Sequence, residues 1–125
     1  MSLQETKQQQ IATTLALAPV VPVVIIDQLA HAVPMARALV AGGTPAIEVT
    51  LRTPVALDAI RAIAQEVPGA VVGVGTVLDG KQLEAARQAG ARFAVAPGSS
   101  PRLLDAADQN ALPLLPGVAT ASEAM

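Results

Sequence analysis

Ala46-Ile47-Glu48-Val49-Thr50-Leu51-Arg52 reads as a strand with two charges built into it. The side-chain period of two sends Glu48, Thr50 and Arg52 to one face and Ile47, Val49 and Leu51 to the other. One face is apolar and the other is chemical. A carboxylate in the low-dielectric middle of a sheet costs several kcal/mol unless a partner or a reaction uses it. Glu48 and Arg52 stand two pleats apart, so a direct ion pair between them would be stretched. Residue chemistry alone leaves two readings open, a structural Glu–Arg pair at a strand end and a site in which an anion lies between or beside them.

Outward from this strand the chain repeats one unit. Upstream, Val20 to Ile26 is a continuous apolar run of strand length, the pattern of a strand covered on both faces. Asp27 is expected to cap a helix that ends at Gly42-Gly43, with the regular part starting close to Pro34, because proline is tolerated only in a first turn. Downstream, Thr53-Pro54 reads as an N-cap with proline at the first helical position, and Pro68-Gly69 stops that helix after about Val67. Val71 to Thr76 is a third strand, in which Gly73 and Gly75 allow close approach of backbone or ligand. Asp79 with Gln82 starts a helix that Gly90 closes, Phe93 to Ala96 is a fourth strand, Ser100-Pro101 repeats the cap, and Leu112 to Leu115 is a fifth strand. At the front, Gln4 to Gln10 runs into Leu15 as a short helix across one end of the domain. Met1-Ser2-Leu3 is left outside the fold argument. The expected organisation is a single domain over 1–125, with residues 1–18 as N-terminal tail and helix and 19–125 as βα units one to five.

Composition sets the limits. At 125 residues the chain is one domain by size, and 52% of it is hydrophobic with a single aromatic, Phe93. Such a core consists of small aliphatic side chains, as where helices lie close on a parallel sheet. The net charge of −2 gives no electrostatic footprint for nucleic acid. Leu15 to Ile26 is broken by Pro19 and Pro22 and is too short to span a bilayer, so no membrane partner is expected. No basic segment with a small-residue cleavage site precedes it, which favours a cytoplasmic protein. Without cysteine there is neither a disulfide framework nor a thiolate metal site.

Strand starts near 20, 46, 71, 93 and 112, each followed by one helix, make a βα array. Such units build an open doubly wound sheet or a barrel, and periodicity does not choose between them. Either fold carries its site at the carboxyl ends of the strands. Those ends hold Glu48, Thr50, Arg52, Gly75, Thr76, Pro97, Gly98 and Gly117. Two features favour the front part of a larger barrel. Thr120-Ala121-Ser122-Glu123 is a capping box with only two residues after it, and the first and last strands would leave long apolar edges.

The residues resemble a known family. Pro22-Val23, His31-Ala32-Val33-Pro34-Met35-Ala36, Leu39-Val40-Ala41-Gly42-Gly43, Glu48-Val49-Thr50-Leu51-Arg52-Thr53, Asp58-Ala59-Ile60-Arg61-Ala62-Ile63-Ala64, Gly75-Thr76-Val77-Leu78 and Pro116-Gly117 are similar to the N-terminal part of the bacterial 2-keto-3-deoxy-6-phosphogluconate and 4-hydroxy-2-oxoglutarate aldolases. The resemblance runs from Val20 to Met125. It implies a class I aldolase on a (β/α)8 barrel, without a cofactor or metal and usually assembled as a homotrimer. A lysine would form a Schiff base with the keto carbon, and cleavage would release pyruvate with glyceraldehyde 3-phosphate, or with glyoxylate from the hydroxyoxoglutarate. By the same resemblance Glu48 corresponds to the general acid/base, Arg52 to the residue that holds the pyruvoyl carboxylate, and Thr76 and Pro97 to residues that line the pocket. A partly desolvated Glu and a guanidinium fork suit those tasks.

The family's Schiff-base lysine stands on the sixth strand, and its phosphate site on the last two; neither is among these residues. The lysines here are Lys7, in the polar N-terminal segment, and Lys81, in the first turn after the third strand. Neither matches the nucleophile, and Lys81 beside Asp79 lacks the desolvated or cationic setting that lowers a lysine pKa. Ile25 also replaces an arginine that some members carry. Other signals fail on chemistry. Gly75-x4-Gly80-Lys81 mimics a phosphate loop, but Gln82 stands where Ser or Thr must bind Mg²⁺. Leu78 replaces the third glycine of a dinucleotide fingerprint. The single His31 reads as solvated or capping and makes no metal site, and Ser99-Ser100 reads as a cap. Two function classes follow: the acid/base and carboxylate-binding half of a pyruvate-forming aldolase, or a non-catalytic half-barrel that binds a small anion or serves as a structural fragment.

Overall fold

The computed structural model describes all of residues 1–125. The elements in chain order are α1 (Leu3–Leu15), β1 (Val23–Val24), a 3-10 turn (Leu29–His31), α2 (Ala32–Ala41), β2 (Ala46–Thr50), α3 (Ala56–Glu66), β3 (Val71–Gly75), α4 (Gly80–Ala89), β4 (Ala94–Val95), α5 (Pro101–Gln109), β5 (Leu114–Leu115) and α6 (Ala121–Ala124). All five strands lie in one parallel sheet in the order β1-β2-β3-β4-β5. Spatial order equal to chain order removes the reversal that defines a doubly wound sheet. Successive helices pack on one another, α2 on α3, α3 on α4 and α4 on α5, so they cover one face of the sheet only. This is the arc of a (β/α)8 barrel, and it decides the choice that periodicity left open.

The core lies between that face and the helices. Ile47 and Val49 of β2, Val72 and Val74 of β3 and Ala94 of β4 meet Ala32, Ala36, Ala59, Ile60, Ile63, Leu83, Ala86 and Leu103 from the helices. Small side chains let helix and sheet approach closely, which fits the aliphatic composition. Phe93 is absent from this core. It stands on the opposite face and covers Gly73, where an added Cβ would lie 2.5 Å from ring carbon Cε1.

Local signals account for several boundaries. Asp79 Oδ1 accepts from Gln82 N at 2.8 Å, and Gln82 Oε1 accepts from Leu78 N at 2.8 Å, so the start of α4 is doubly capped. Gly90 ends that helix in the left-handed region at φ 101°. Ser100 Oγ accepts from Leu103 N at 3.3 Å, with Pro101 in the first turn of α5. Pro34 sits in the first turn of α2, as expected.

Four expectations need correction. Asp27 caps nothing: a 3-10 turn intervenes and α2 starts after His31, which makes no side-chain capping bond. Thr53 does not cap α3 either, since its hydroxyl donates to the Ile26 carbonyl at 2.6 Å and the helix begins at Ala56. That bond turns the hydroxyl towards β1, and Thr53–Val55 form a turn ahead of the helix. The strand at Val20–Ile26 is not covered on both faces. Only Val23–Val24 joins the ladder, and Val23 is 60% exposed on the open side of an edge strand. Ser2 and Leu3 belong to the fold, because Ser2 forms a full capping box with Glu5 and Leu3 opens α1.

Candidate active site at the carboxyl ends of the strands

Glu48 sits in the middle of β2, the one strand buried along its whole length. Its register partners are Val23 on β1 and Gly73 on β3. The carboxyl therefore points to the inner face, away from the helices, and the residue is 9% exposed. The space it fills is provided by Gly75, two residues along β3. A Cβ on Gly75 would overlap Glu48 Oε1 and come within 2.7 Å of Cδ. The glycines of β3 thus make room for side chains of the flanking strands, Glu48 from one side and Phe93 from the other. That room goes to these neighbours and not, as the sequence suggests, to backbone or ligand.

Burial pushes the Glu48 carboxyl above its ordinary value, and the Arg52 guanidinium opposes the shift without cancelling it. No hydrogen bond or ion pair joins the two: the ion pairs of the chain are Arg61–Asp58 and Arg87–Glu84. Arg52 lies on the exposed turn just past β2. The structural reading of a paired Glu48–Arg52 is therefore not what the fold builds. Thr50, also on the inner face, is fully buried and spends its hydroxyl on the Val24 carbonyl at 3.3 Å, which clamps β1 to β2.

Thr76 follows β3 and is the one non-glycine residue with positive φ, at 60°. Such a conformation costs about 1–3 kcal/mol and is characteristic of binding and catalytic loops. Pro97 is exposed at the end of β4, and its carbonyl occupies the volume a Gly117 side chain would need. Gly117 thereby lets the loop after β5 close on the loop after β4. Arg52, Thr76 and Pro97 thus follow the carboxyl ends of three consecutive strands, where barrels place their chemistry, and the Glu48 side chain reaches from the middle of β2 to Gly75, the last residue of β3.

Other candidates fall elsewhere. Lys81 is exposed in the first turn of α4. Lys7, which by sequence belongs to a polar tail, is 6% exposed and donates from Nζ to the Ala107 carbonyl at 2.6 Å, at the carboxyl end of α5. Neither lysine makes a hydrogen bond or ion pair with Glu48. His31 is exposed. No helix is long and apolar enough to cross a membrane.

The parallel barrel arc carries an unpaired, partly desolvated carboxyl and, just past the end of the same strand, an arginine, at the side of the sheet where barrels place their chemistry. The sequence model of the KDPG and KHG aldolases matches residues 11–125, and the chain belongs to that family. It is 55% identical over 121 residues to the KHG/KDPG aldolase of Escherichia coli K12 and 54% identical to the 2-dehydro-3-deoxy-phosphogluconate aldolase of Dickeya dadantii. Each match covers 97% of this chain and 55% of the relative, so the chain spans about half the length of the curated relatives it matches. Among solved structures, the 2-keto-3-deoxy-6-phosphogluconate aldolase of Zymomonas mobilis superposes with a TM-score of 0.87 at 52% identity, over 90% of this chain and 54% of that one. The Legionella pneumophila enzyme, captured with pyruvate as a covalent carbinolamine, superposes with a TM-score of 0.86 at 46% identity, over the same shares.

Proposed function

We propose that this chain supplies the acid/base and carboxylate-binding half of a class I aldolase that cleaves 2-keto-3-deoxy-6-phosphogluconate to pyruvate and glyceraldehyde 3-phosphate, and 4-hydroxy-2-oxoglutarate to pyruvate and glyoxylate. The observation that carries this reading is the Glu48 carboxyl: buried, without a hydrogen-bond partner, raised in pKa and aimed at the inner face of the barrel arc. A carboxyl whose pKa is raised by burial is a better proton donor-acceptor than an ordinary surface carboxylate, which suits an acid/base role. In the reading, the amine of a lysine outside these residues adds to the keto carbon. Glu48 protonates the departing hydroxyl as water leaves the carbinolamine. As carboxylate it then takes the proton of the substrate's C4 hydroxyl while the C3–C4 bond breaks and its electron pair moves into the iminium. Arg52 holds the pyruvoyl carboxylate, and Thr76 and Pro97 border the substrate. The same reading makes the whole protein cytoplasmic and a homotrimer, and light scattering on the complete protein checks the trimer.

The test is a chimaera of this chain with the remaining strands of the Escherichia coli relative. It is expected to release pyruvate from 2-keto-3-deoxy-6-phosphogluconate, followed by a coupled dehydrogenase assay. A folded but inactive chimaera would favour the non-catalytic half-barrel instead.

A further inference from the structure

The contact between Glu48 and Gly75 carries an assignment beyond the acid/base reading, on which it rests. Gly75 is paired in register with Thr50, and the Glu48 side chain lies across it so closely that any Cβ there would overlap the carboxyl. We propose that Gly75 is the positioning residue of the site: its missing side chain is the seat that holds the Glu48 carboxyl against β3, inside the arc.

Three observations support this. First, the overlap falls on the carboxyl end of a flexible side chain and not on backbone, with Oε1, Cδ and Cγ as the nearest atoms. A methyl group at this position therefore displaces the carboxyl before it disturbs the sheet. Second, the displacement has one open direction. Towards β4 the inner face is filled, because the Phe93 ring covers Gly73, the register partner of Glu48. Towards β1 it is open, since Val23 is 60% exposed. A displaced carboxyl moves to solvent. Third, Gly75 has an ordinary backbone conformation, unlike Gly43 and Gly90 with their positive φ. Backbone geometry does not demand glycine there; the neighbour's carboxyl does. The flanking strands bring no charge to the site, as β1 and β3 contain only valine and glycine, and Arg52 is the one ionic neighbour that acts on Glu48.

The experiment is carboxyl-carbon NMR titration of Glu48 in the 125-residue chain, for the parent and for Gly75→Ala, with Glu48→Gln to assign the resonance. The Glu48 midpoint is expected to fall towards an ordinary carboxylate value in Gly75→Ala, while the remaining carboxyls keep theirs. A midpoint that stays or rises overturns the assignment. Thermal unfolding adds a second measurement: Gly75→Ala should lower Tm less in a Glu48→Ala background than in the parent. Equal losses in both backgrounds, or failure of both alanine variants to fold, would place the requirement on backbone and overturn the assignment. Neither measurement involves turnover, so its failure leaves the acid/base reading of Glu48 untouched. That reading fails separately, on the rate of a Glu48→Gln enzyme.

Discussion

Lys7 Nζ donates to the Ala107 carbonyl at 2.6 Å, so the first helix is tied to the end of α5 across a hundred residues of chain. The ammonium lies at the negative end of the α5 dipole, with the Asp108 carbonyl at 3.4 Å as a second acceptor. Lys7→Met should cost about 1.5–3 kcal/mol, the worth of a charged hydrogen bond whose partner is left buried. Gln4→Ala, which removes only an exposed contact to Asp108, should stay within about 0.5 kcal/mol. Urea unfolding of the two variants measures the contrast, and equal losses would mean that α1 is held by something other than Lys7.

Glu48→Gln and Arg52→Ala should separate chemistry from binding in an active, complete barrel. The amide is nearly isosteric, so fold and pyruvate binding should survive while kcat falls by about 10²–10⁴-fold. Arg52→Ala should raise KM with a smaller effect on kcat, because a carboxylate contact made in ground and transition states alike is uniform binding. Steady-state kinetics on both variants decides the matter, with near-normal turnover of Glu48→Gln as the contrary result.

Glu48 should also leave a signature in stability against pH. Its folded pKa lies above the ordinary value of 4.5, so the folded state holds the proton more tightly than the unfolded chain does. Its contribution is fully present below pH 4.5 and is lost as pH rises through the raised folded value. Glu48→Gln should therefore be no less stable than the parent at neutral pH, as thermal unfolding of the two proteins would show. A buried Glu–Arg pair would behave in the opposite way, losing about 3–5 kcal/mol when one partner is removed.

Glu84 should show the reverse dependence. Its carboxylate accepts from Arg87 Nε at 2.8 Å and Nη2 at 2.7 Å, from Gln88 at 3.0 Å and from Asn110 at 2.9 Å. The Arg87 and Gln88 bonds, with that from Asn110, lower its pKa to about 2. The stability it adds is present above pH 4.5 and is lost as pH falls towards about 2. Acid titration of thermal stability should show a shallower decline in Glu84→Gln over that window than in the parent.

Gly73→Ala should destabilise where Gly75→Ala displaces. The new methyl would meet the ring of Phe93, which is 1% exposed and has no open direction to move into. Overpacking of this kind costs about 1–3 kcal/mol. Chemical denaturation of Gly73→Ala and of Gly73→Ala/Phe93→Leu tests it, with recovery expected in the double variant.

Features set by neighbours in the chain are legible without coordinates. The period-two pattern of Ile47–Leu51, the Asp79–Gln82 and Ser100-Pro101 caps and the left-handed Gly90 depend on contacts a few residues long, and each stands where its local signal puts it. Thr53 and Asp27 mislead for a complementary reason. Their local signals are as good, but Thr53 finds the Ile26 carbonyl 27 residues away, and the 3-10 turn takes up the segment after Asp27. Lys7 looks like a solvated tail residue because nothing nearby in sequence announces a helix end a hundred positions on.

By itself, then, the sequence determined the alternation of strands and helices and the presence of a costly carboxylate at Glu48, because these follow from side-chain periodicity and the desolvation of charge. Its motifs carried the family resemblance, while the starts of α2 and α3 and the extent of β1 were set by contacts in the fold. Only the tertiary structure decided that strand order follows chain order and that Glu48 and Arg52 are not an ion pair. It also decided that the carboxyl rests over Gly75. That contact follows from the parallel register of β2 on β3, a long-range pairing that shifts every facing side chain if it slips by one residue.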